Sequence, residues 1–250
     1  MLYGDNMPDG INREEITLAS EKLLLMLFDF LDEHYGAKER DYLLLGGWAV
    51  YIYAGGERSE DIDIYVSNKE LEDTIRATIE EIKPKIRSNH IEEISIDFFN
   101  SESVFKYMGL DHSDLRNTAK IVEYGGVRFP IVDPTILVAM KFISAPGRGL
   151  GTQRGIRKSI KDINDIFYLM ESDTIHVNIP RVKRYLKKYI LGKSKTYIEF
   201  EELIENTLET LDDLSSFLYD EDQRETLNLV REKYLEVRDE IKNIKQFVWG

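Results

Sequence analysis

The sequence predicts an α+β (α/β) protein, with a small mixed β-sheet and flanking helices followed by a helical C-terminal domain. Alternating or short apolar runs bounded by glycine are confined to residues 42 to 132. From Pro134 onward, apolar residues recur at helical spacing and no strand pattern is seen. A chain of 250 residues is long enough for two domains. We therefore expect an α/β domain over residues 1–135 and a helical domain over residues 136–250.

In the first half, helices are expected to alternate with short strands. Residues 13 to 34 have helical spacing and predict an opening helix. DYLLLGG predicts a strand that ends at a glycine pair, and WAVYIYA predicts a short helix after it. SEDIDIYVS alternates strictly, which is typical of a half-buried strand. The remaining predicted elements are the helix LEDTIRATIEEIKPK, the strand IEEISIDFF and two short strands around Gly125-Gly126.

The second half predicts helices only. PTILVAMKFIS and KSIKDINDIFYLM are separated by a stretch rich in glycine and arginine, residues 146 to 158, which predicts either a flexible connection or a mobile loop that grips phosphate. RVKRYLKKYI predicts a solvated basic face or a contact with an RNA backbone. The acidic helices after residue 196 predict a solvated surface or a face that binds a protein partner.

Composition narrows the class of protein. The chain has no cysteine and only four scattered histidines, so a metal site should use oxygen ligands. Its net charge of -13 argues against nonspecific coating of nucleic acid. There is no apolar run of about 18 residues and no signal-peptide layout at the N-terminus. We therefore expect a cytoplasmic protein with no membrane partner.

Three aspartates form the predicted centre of the site. Asp61 and Asp63 are two residues apart on a strand, so their carboxylates project to the same side. Two adjacent negative charges are unfavourable without a cation between them, and hard oxygen ligands suit Mg²⁺ or Mn²⁺. Asp97 lies within apolar strand sequence, so we expect it as a third ligand and as the base for an attacking hydroxyl. A solvated strand face is the alternative for Asp61 and Asp63.

A glycine pair, Gly46-Gly47, lies where a predicted strand gives way to a helix. The free backbone N–H groups and the dipole of a helix start favour an anion. Without side chains at these positions, a polyphosphate can approach the backbone closely. The pair therefore predicts a phosphate site beside the aspartates, with an ordinary turn as the alternative.

Together these motifs resemble the nucleotidyltransferase superfamily typified by DNA polymerase β. Its signature is an apolar residue with Gly-Gly or Gly-Ser, a short spacer, Asp-x-Asp between apolar residues, and a third acid on a later strand. Leu45-Gly46-Gly47, Asp61-Ile62-Asp63-Ile64 and Asp97 fit this signature. In detail the chain is most similar to the branch that contains the AbiEii-type toxins of bacterial type IV toxin–antitoxin systems. That likeness is carried by Arg58-Ser59-Glu60-Asp61, Lys141 and Lys161-Asp162-Ile163-Asn164-Asp165.

The resemblance implies Mg²⁺- or Mn²⁺-dependent transfer of a nucleoside monophosphate from a triphosphate to a hydroxyl. Asp61, Asp63 and Asp97 would be the metal ligands and catalytic residues. The residues implied to bind nucleotide are Gly46, Gly47, Arg58, Lys141, Lys161 and Asp162. Gly47 replaces a serine that many members use to bind phosphate, so its contact would be through the backbone. Acceptors in the superfamily include RNA, protein and small molecules, so the acceptor stays open.

Other functions remain as alternatives. A glycosyltransferase also holds a nucleotide sugar with Asp-x-Asp, but this leaves the spacing from Gly46-Gly47 unexplained. A phosphatase with a nucleophilic aspartate normally has a continuous hydrophobic strand before it, whereas GGERSE precedes Asp61. The non-enzymatic alternative is an inactive module that binds nucleotide, RNA or a toxin–antitoxin partner. For Arg58 the alternative is an ion pair with Glu60 or Asp61. Lys141 and Lys161 are alternatively exposed helix lysines, and Asp162 a helix cap or ion-pair partner.

Overall fold

The computed structural model describes residues 13–38 and 40–248, and within them ten helices surround one five-stranded sheet. The strands are β1 (Tyr42–Leu45), β2 (Ile62–Val66), β3 (Ile96–Phe99), β4 (Lys120–Tyr124) and β5 (Val127–Ile131). The helices are α1 (Arg13–Tyr35), α2 (Gly46–Ala54), α3 (Lys69–Ile82), α4 (Ser101–Met108), α5 (His112–Thr118), α6 (Pro134–Gly147), α7 (Gln153–Glu171), α8 (Ile179–Lys193), α9 (Tyr197–Ser215) and α10 (Glu221–Val248). A mixed sheet with a helical second half confirms the predicted fold class.

The strand order is β3-β2-β1-β5-β4. β2 runs antiparallel to β1 and parallel to β3, while β5 runs parallel to β1 and antiparallel to β4. The predicted hairpin is confirmed: β4 and β5 are joined at Gly125 and Gly126, whose φ angles of 60° and 82° suit the tight turns that favour glycine. This order places β2, which carries Asp63, between β1 and β3.

Several element boundaries differ from the predictions. α4 and α5 were not predicted, because helices this short carry too little periodicity to recognise. β3 begins only at Ile96, and a short 3₁₀ turn occupies Ile91–Glu93. The loop predicted over residues 146 to 158 is also too long. α6 continues to Gly147, and α7 is already helical at Gln153 because the Thr152 side chain accepts a hydrogen bond from the Gly155 N–H at 3.0 Å.

One apolar cluster extends through the sheet and the later helices. β1 is fully buried, and α6 is buried along most of its length as it packs against α2, α7, α8 and α9. α7 packs in turn against α2, which brings the second half of the chain to the start of α2. The division at residues 135 and 136 falls near the start of α6 and stays a prediction. None of the described helices combines the length and the apolar character needed to cross a membrane.

Candidate active site

Gly46 begins α2 and lies directly against Asp63. The antiparallel register pairs Leu45, the last residue of β1, with Asp63, so the Asp63 carboxylate lies against the residue that follows, Gly46. Gly46 has φ +63°, and a Cβ placed on it would lie 1.7 Å from the Asp63 Oδ2. Both the backbone conformation and the available space therefore require glycine. Leu45 precedes the helix and provides no side-chain cap, so the first N–H groups of α2 keep their capacity to bind an anion.

A hydroxyl and an ammonium group border the next residue. A Cβ on Gly47 would lie 2.7 Å from the Ser59 Oγ and 2.9 Å from the Lys161 Nζ. Lys161 reaches this position from α7, which packs on α2. We call Gly46, Gly47, Ser59 and Lys161 the phosphate cradle, because backbone N–H groups, a hydroxyl and a positive charge meet there. Ser59 was not predicted as a site residue, although it belongs to the Arg58-Ser59-Glu60-Asp61 motif that leads to the metal ligands.

The three predicted acids occupy one region of the β2–β3 pair. The parallel register places Asp63 directly opposite Asp97. Such partners lie about 4.8 Å apart across the sheet and project to the same side. Asp61 immediately precedes β2, two residues before Asp63. The structure thus brings Asp63 and Asp97 side by side and keeps Asp61 adjacent to them.

The surroundings of Asp63 raise the pKa of its carboxyl to about 6. The main cause is desolvation by the surrounding protein, although the side chain keeps partial access to solvent. Lys141 and Arg148 lower this pKa, whereas the negative charges of Asp97 and Asp61 raise it further. Asp63 therefore lies in an electrostatic environment that favours a bound cation or a proton.

Asp61 and Asp97 each have a partner within the protein. The Lys158 Nζ lies 3.6 Å from the Asp61 Oδ2, and the Ser95 Oγ donates a hydrogen bond of 3.3 Å to the Asp97 Oδ1. Within residues 13–38 and 40–248, no three Asp, Glu, His or Cys side chains already converge as a metal site. The donor set still suits Mg²⁺ or Mn²⁺, because it is all carboxylate oxygen and adjoins the phosphate cradle. Metal binding would require Asp61 to exchange the Lys158 ammonium for the cation.

A buried ion cluster lies where α6 and α7 pack together. The Lys141 Nζ is 2.7 Å from the Asp162 Oδ1 and 2.6 Å from the Asp165 Oδ2, and all three side chains are at least 90% buried. Burial alone would lower the pKa of Lys141, but the two carboxylates outweigh it and raise that pKa. Burial would likewise raise the pKa of Asp162, but Lys141 and Arg148 lower it to about 2. Lys141 and Asp162 are therefore both ionised at neutral pH.

Each buried carboxylate also holds a second cation. The Arg148 Nε donates to the Asp162 Oδ2 at 2.9 Å, and the Lys161 Nζ lies 3.5 Å from the Asp165 Oδ2. The ammonium groups of Lys141 and Lys161 both contact this Asp165 oxygen, so the buried carboxylate is held by two ion pairs. Lys141 and Asp162 are thus buried, and the exposed-helix alternative is wrong for Lys141. Lys161, in contrast, is only partly buried, and its ammonium group lies beside Gly47 in the phosphate cradle.

Arg58 contacts α1 and α2. Its Nε donates to the Tyr51 hydroxyl at 3.3 Å, and its Nη1 lies 3.4 Å from the Glu21 Oε2. The expected alternative pairing with Glu60 or Asp61 is not found, because Glu60 accepts a hydrogen bond of 2.6 Å from the Arg13 Nε and Asp61 faces Lys158. A role for Arg58 in nucleotide binding stays a prediction.

The basic helix α8 is largely paired with acids elsewhere in the chain. Lys183 contacts Glu236 and Glu240 of α10 at 3.0 and 2.8 Å. Lys187 also reaches Glu240, and Lys188 contacts two aspartates at the start of α5. The segregation of charge along the sequence therefore allows basic α8 to pack beside acidic α10. This pairing favours a structural role for these lysines over a contact with RNA.

Comparisons with known proteins give a structural likeness but no likeness in sequence. No protein-family model matches the chain, and no curated protein is similar in sequence. The chain is similar in structure to an antigenic nucleotidyltransferase-like protein from Paracoccidioides brasiliensis, known from a crystal structure. The two share 16% identity with a TM-score of 0.46, over 82% of this chain and 93% of that one.

Proposed function

We propose that this chain is a nucleotidyltransferase that moves a nucleoside monophosphate from a triphosphate to a hydroxyl group. One observation carries the proposal, namely the position of Asp63. Its carboxylate adjoins Gly46 at the start of α2 and also stands opposite Asp97 on the neighbouring strand. The start of α2, which would bind phosphate, and the acid pair Asp63 and Asp97 thus lie next to each other. This juxtaposition suits the transfer of a phosphoryl group.

In the proposed reaction, the phosphate cradle binds the triphosphate. The N–H groups at the start of α2 and the Ser59 hydroxyl donate hydrogen bonds to phosphate oxygens, and Lys161 offsets their charge. Asp165 positions Lys161 for this task, since its carboxylate lies 3.5 Å from the Lys161 ammonium. Because Asp165 is itself buried and paired with Lys141, this support is held in place by the packing of α6 on α7.

Asp61, Asp63 and Asp97 would hold the divalent cation. A bound Mg²⁺ or Mn²⁺ supplies charge neutralisation for the triphosphate and for the entering and leaving oxygens. Asp97 is the most exposed of the three side chains and is placed to accept the proton of the acceptor hydroxyl. The hydroxyl oxygen then forms a bond to the α-phosphorus as the bond to the bridging oxygen breaks, and pyrophosphate leaves.

A nucleotide-binding module without turnover is the second candidate. It is favoured by the ammonium of Lys158 beside Asp61 and by the lack of three converged ligands among the described residues. Calorimetric titration with ATP and Mg²⁺, combined with an assay for released pyrophosphate, distinguishes the two. The enzyme releases pyrophosphate when an acceptor is present, whereas the module binds ATP and releases none.

The proposal is tested by incubating the protein with each α-³²P-labelled nucleoside triphosphate, Mg²⁺ and total RNA or protein extract. Label should appear in one acceptor fraction. Asp63→Asn should abolish transfer, because it removes the negative charge of the proposed metal ligand that lies between Gly46 and Asp97. Asp73→Asn is a matched control, since Asp73 is an exposed residue of α3 that pairs with Lys69. Transfer by the Asp63→Asn variant at the wild-type rate would contradict the mechanism.

A further inference from the structure

A second cluster of positive charge lies between α6 and α7. It lines a cavity of about 370 Å³ whose walls are Gly147, Arg148, Thr152, Arg154, Gly155 and Lys158. Three of these six residues are cationic, none is acidic, and none belongs to the phosphate cradle. In a chain with a net charge of -13, such a cavity is a local exception that attracts anions.

The cations of this cavity keep their capacity to bind a ligand. Asp162 fixes the Arg148 guanidinium through Nε and Nη2, at 2.9 and 3.5 Å, while 38% of the Arg148 side chain stays exposed. Arg154 is exposed and forms no hydrogen bond or ion pair with another residue of the described ranges. Among the described residues, Lys158 has one partner, Asp61, at 3.6 Å. One cation is thus preorganised, while the other two can turn toward a ligand.

The cavity and the phosphate cradle lie at two ends of one helix face. Arg154, Lys158 and Lys161 follow one another at spacings of four and three residues on α7, so they share a face. At 1.5 Å per residue, Arg154 and Lys161 are about 10 Å apart along the helix axis. Lys158 lies between them and approaches Asp61. Asp61 therefore contacts this helix face between the cavity and the phosphate cradle.

We propose that this cavity is a second oxyanion site, which binds a phosphate group of the acceptor. The proposal rests on the proposed transferase function for the role of the second substrate. Two guanidinium groups and one ammonium provide charge-assisted hydrogen-bond donors that suit a phosphate group. Because the cradle binds the donor triphosphate, a phosphate in the cavity belongs to the other substrate. That phosphate is carried either by a small phosphomonoester or by a phosphorylated nucleic-acid end.

Binding without turnover tests this site. Glycerol 3-phosphate and a 5′-phosphorylated 12-nucleotide RNA are titrated separately into the wild type, Arg154→Gln and Arg157→Gln. Arg157 is the matched control, because it is an exposed arginine of the same helix that does not line the cavity. We expect Arg154→Gln to weaken the binding of at least one probe about tenfold, because it removes one charge-assisted hydrogen bond to phosphate. Arg157→Gln should weaken the binding of the same probe less than about twofold. A 5′-hydroxyl RNA shows whether the terminal phosphate is the group bound.

The outcomes separate this site from the proposed function. A loss of affinity for either probe in Arg154→Gln, relative to Arg157→Gln, supports the site, and the probe that is affected identifies the source of the phosphate. Equal losses in both arginine variants, or no effect of Arg154→Gln on either probe, would overturn it. A matching loss of ATP binding in Arg154→Gln would also overturn it, because the cavity would then belong to the donor site. Phosphate binding that depends on Arg154 but occurs without any transfer activity would refute the proposed function and leave the oxyanion site standing.

Discussion

Replacing Lys141 by methionine should destabilise the fold strongly, because it removes the cation that two buried carboxylates share. Lys141 is the ion-pair partner of both Asp162 and Asp165, at 2.7 and 2.6 Å. Lys141 and Arg148 together lower the pKa of Asp162 from 3.8 to about 2, an effect on the order of 2 kcal/mol. Solvent screens these ion pairs little, since only 2% of the Asp162 side chain is exposed. Loss of a partner from a buried pair typically costs about 3–5 kcal/mol, and we expect a loss in that range for Lys141→Met.

The loss should depend on pH. The lowered pKa of Asp162 contributes stability above its unfolded value of 3.8, and this stability disappears as the pH falls through about 2. In Lys141→Met, the buried carboxylates oppose folding when ionised, so the deficit relative to the wild type is larger at pH 8 than at pH 4.5.

Urea unfolding followed by circular dichroism at both pH values measures this deficit. Lys69→Met is the control. The Lys69 side chain is 69% exposed, and its buried partner Glu72 keeps an ion pair with Arg76, so the free energy of unfolding should change by less than about 1 kcal/mol. Adding Asp165→Asn to Lys141→Met should recover part of the loss. A deficit equal to that of Lys69→Met, or one independent of pH, would refute the reasoning.

Two further predictions concern the site itself. The raised pKa of Asp63 means that its ionisation costs stability as the pH rises from 3.8 through about 6, so metal-free Asp63→Asn should be about 1–2 kcal/mol more stable than the wild type at pH 8. Urea unfolding in a chelator checks this, and an advantage that does not shrink by pH 4.5 would disprove the cause. Gly46→Ala should lower the free energy of unfolding by more than about 2 kcal/mol. The new Cβ would clash with the Asp63 carboxylate, and the alanine would have to adopt a positive φ. Gly36→Ala has a positive φ but open space around it, so a loss there as large as in Gly46→Ala would exclude the Asp63 contact as the cause.

Part of the site could be predicted from local sequence. The alternation around Asp61 and Asp63 indicates a strand, and a period of two places their side chains on one side. The glycine pair marks the start of α2 because a strand pattern changes to a helical one there. These features depend on neighbours within a few residues, which a single sequence displays directly.

Other features depend on contacts between distant segments. Lys141 looks like an ordinary helix lysine until α7 brings Asp162 and Asp165 against it, and nothing within α6 indicates that pairing. The position of Lys161 beside Gly47 likewise depends on how α7 packs on α2. The short helices α4 and α5 are held by tertiary packing more than by their own periodicity.

The central claim is that Asp61, Asp63 and Asp97 jointly bind a divalent cation beside the phosphate cradle. It is tested most directly by electron paramagnetic resonance of free Mn²⁺, titrated with protein in the presence of α,β-methylene-ATP. Each of Asp61→Asn, Asp63→Asn and Asp97→Asn should weaken Mn²⁺ binding by about tenfold or more, whereas Asp73→Asn should bind like the wild type. Binding of Mn²⁺ by Asp97→Asn or Asp63→Asn with wild-type affinity would contradict the claim.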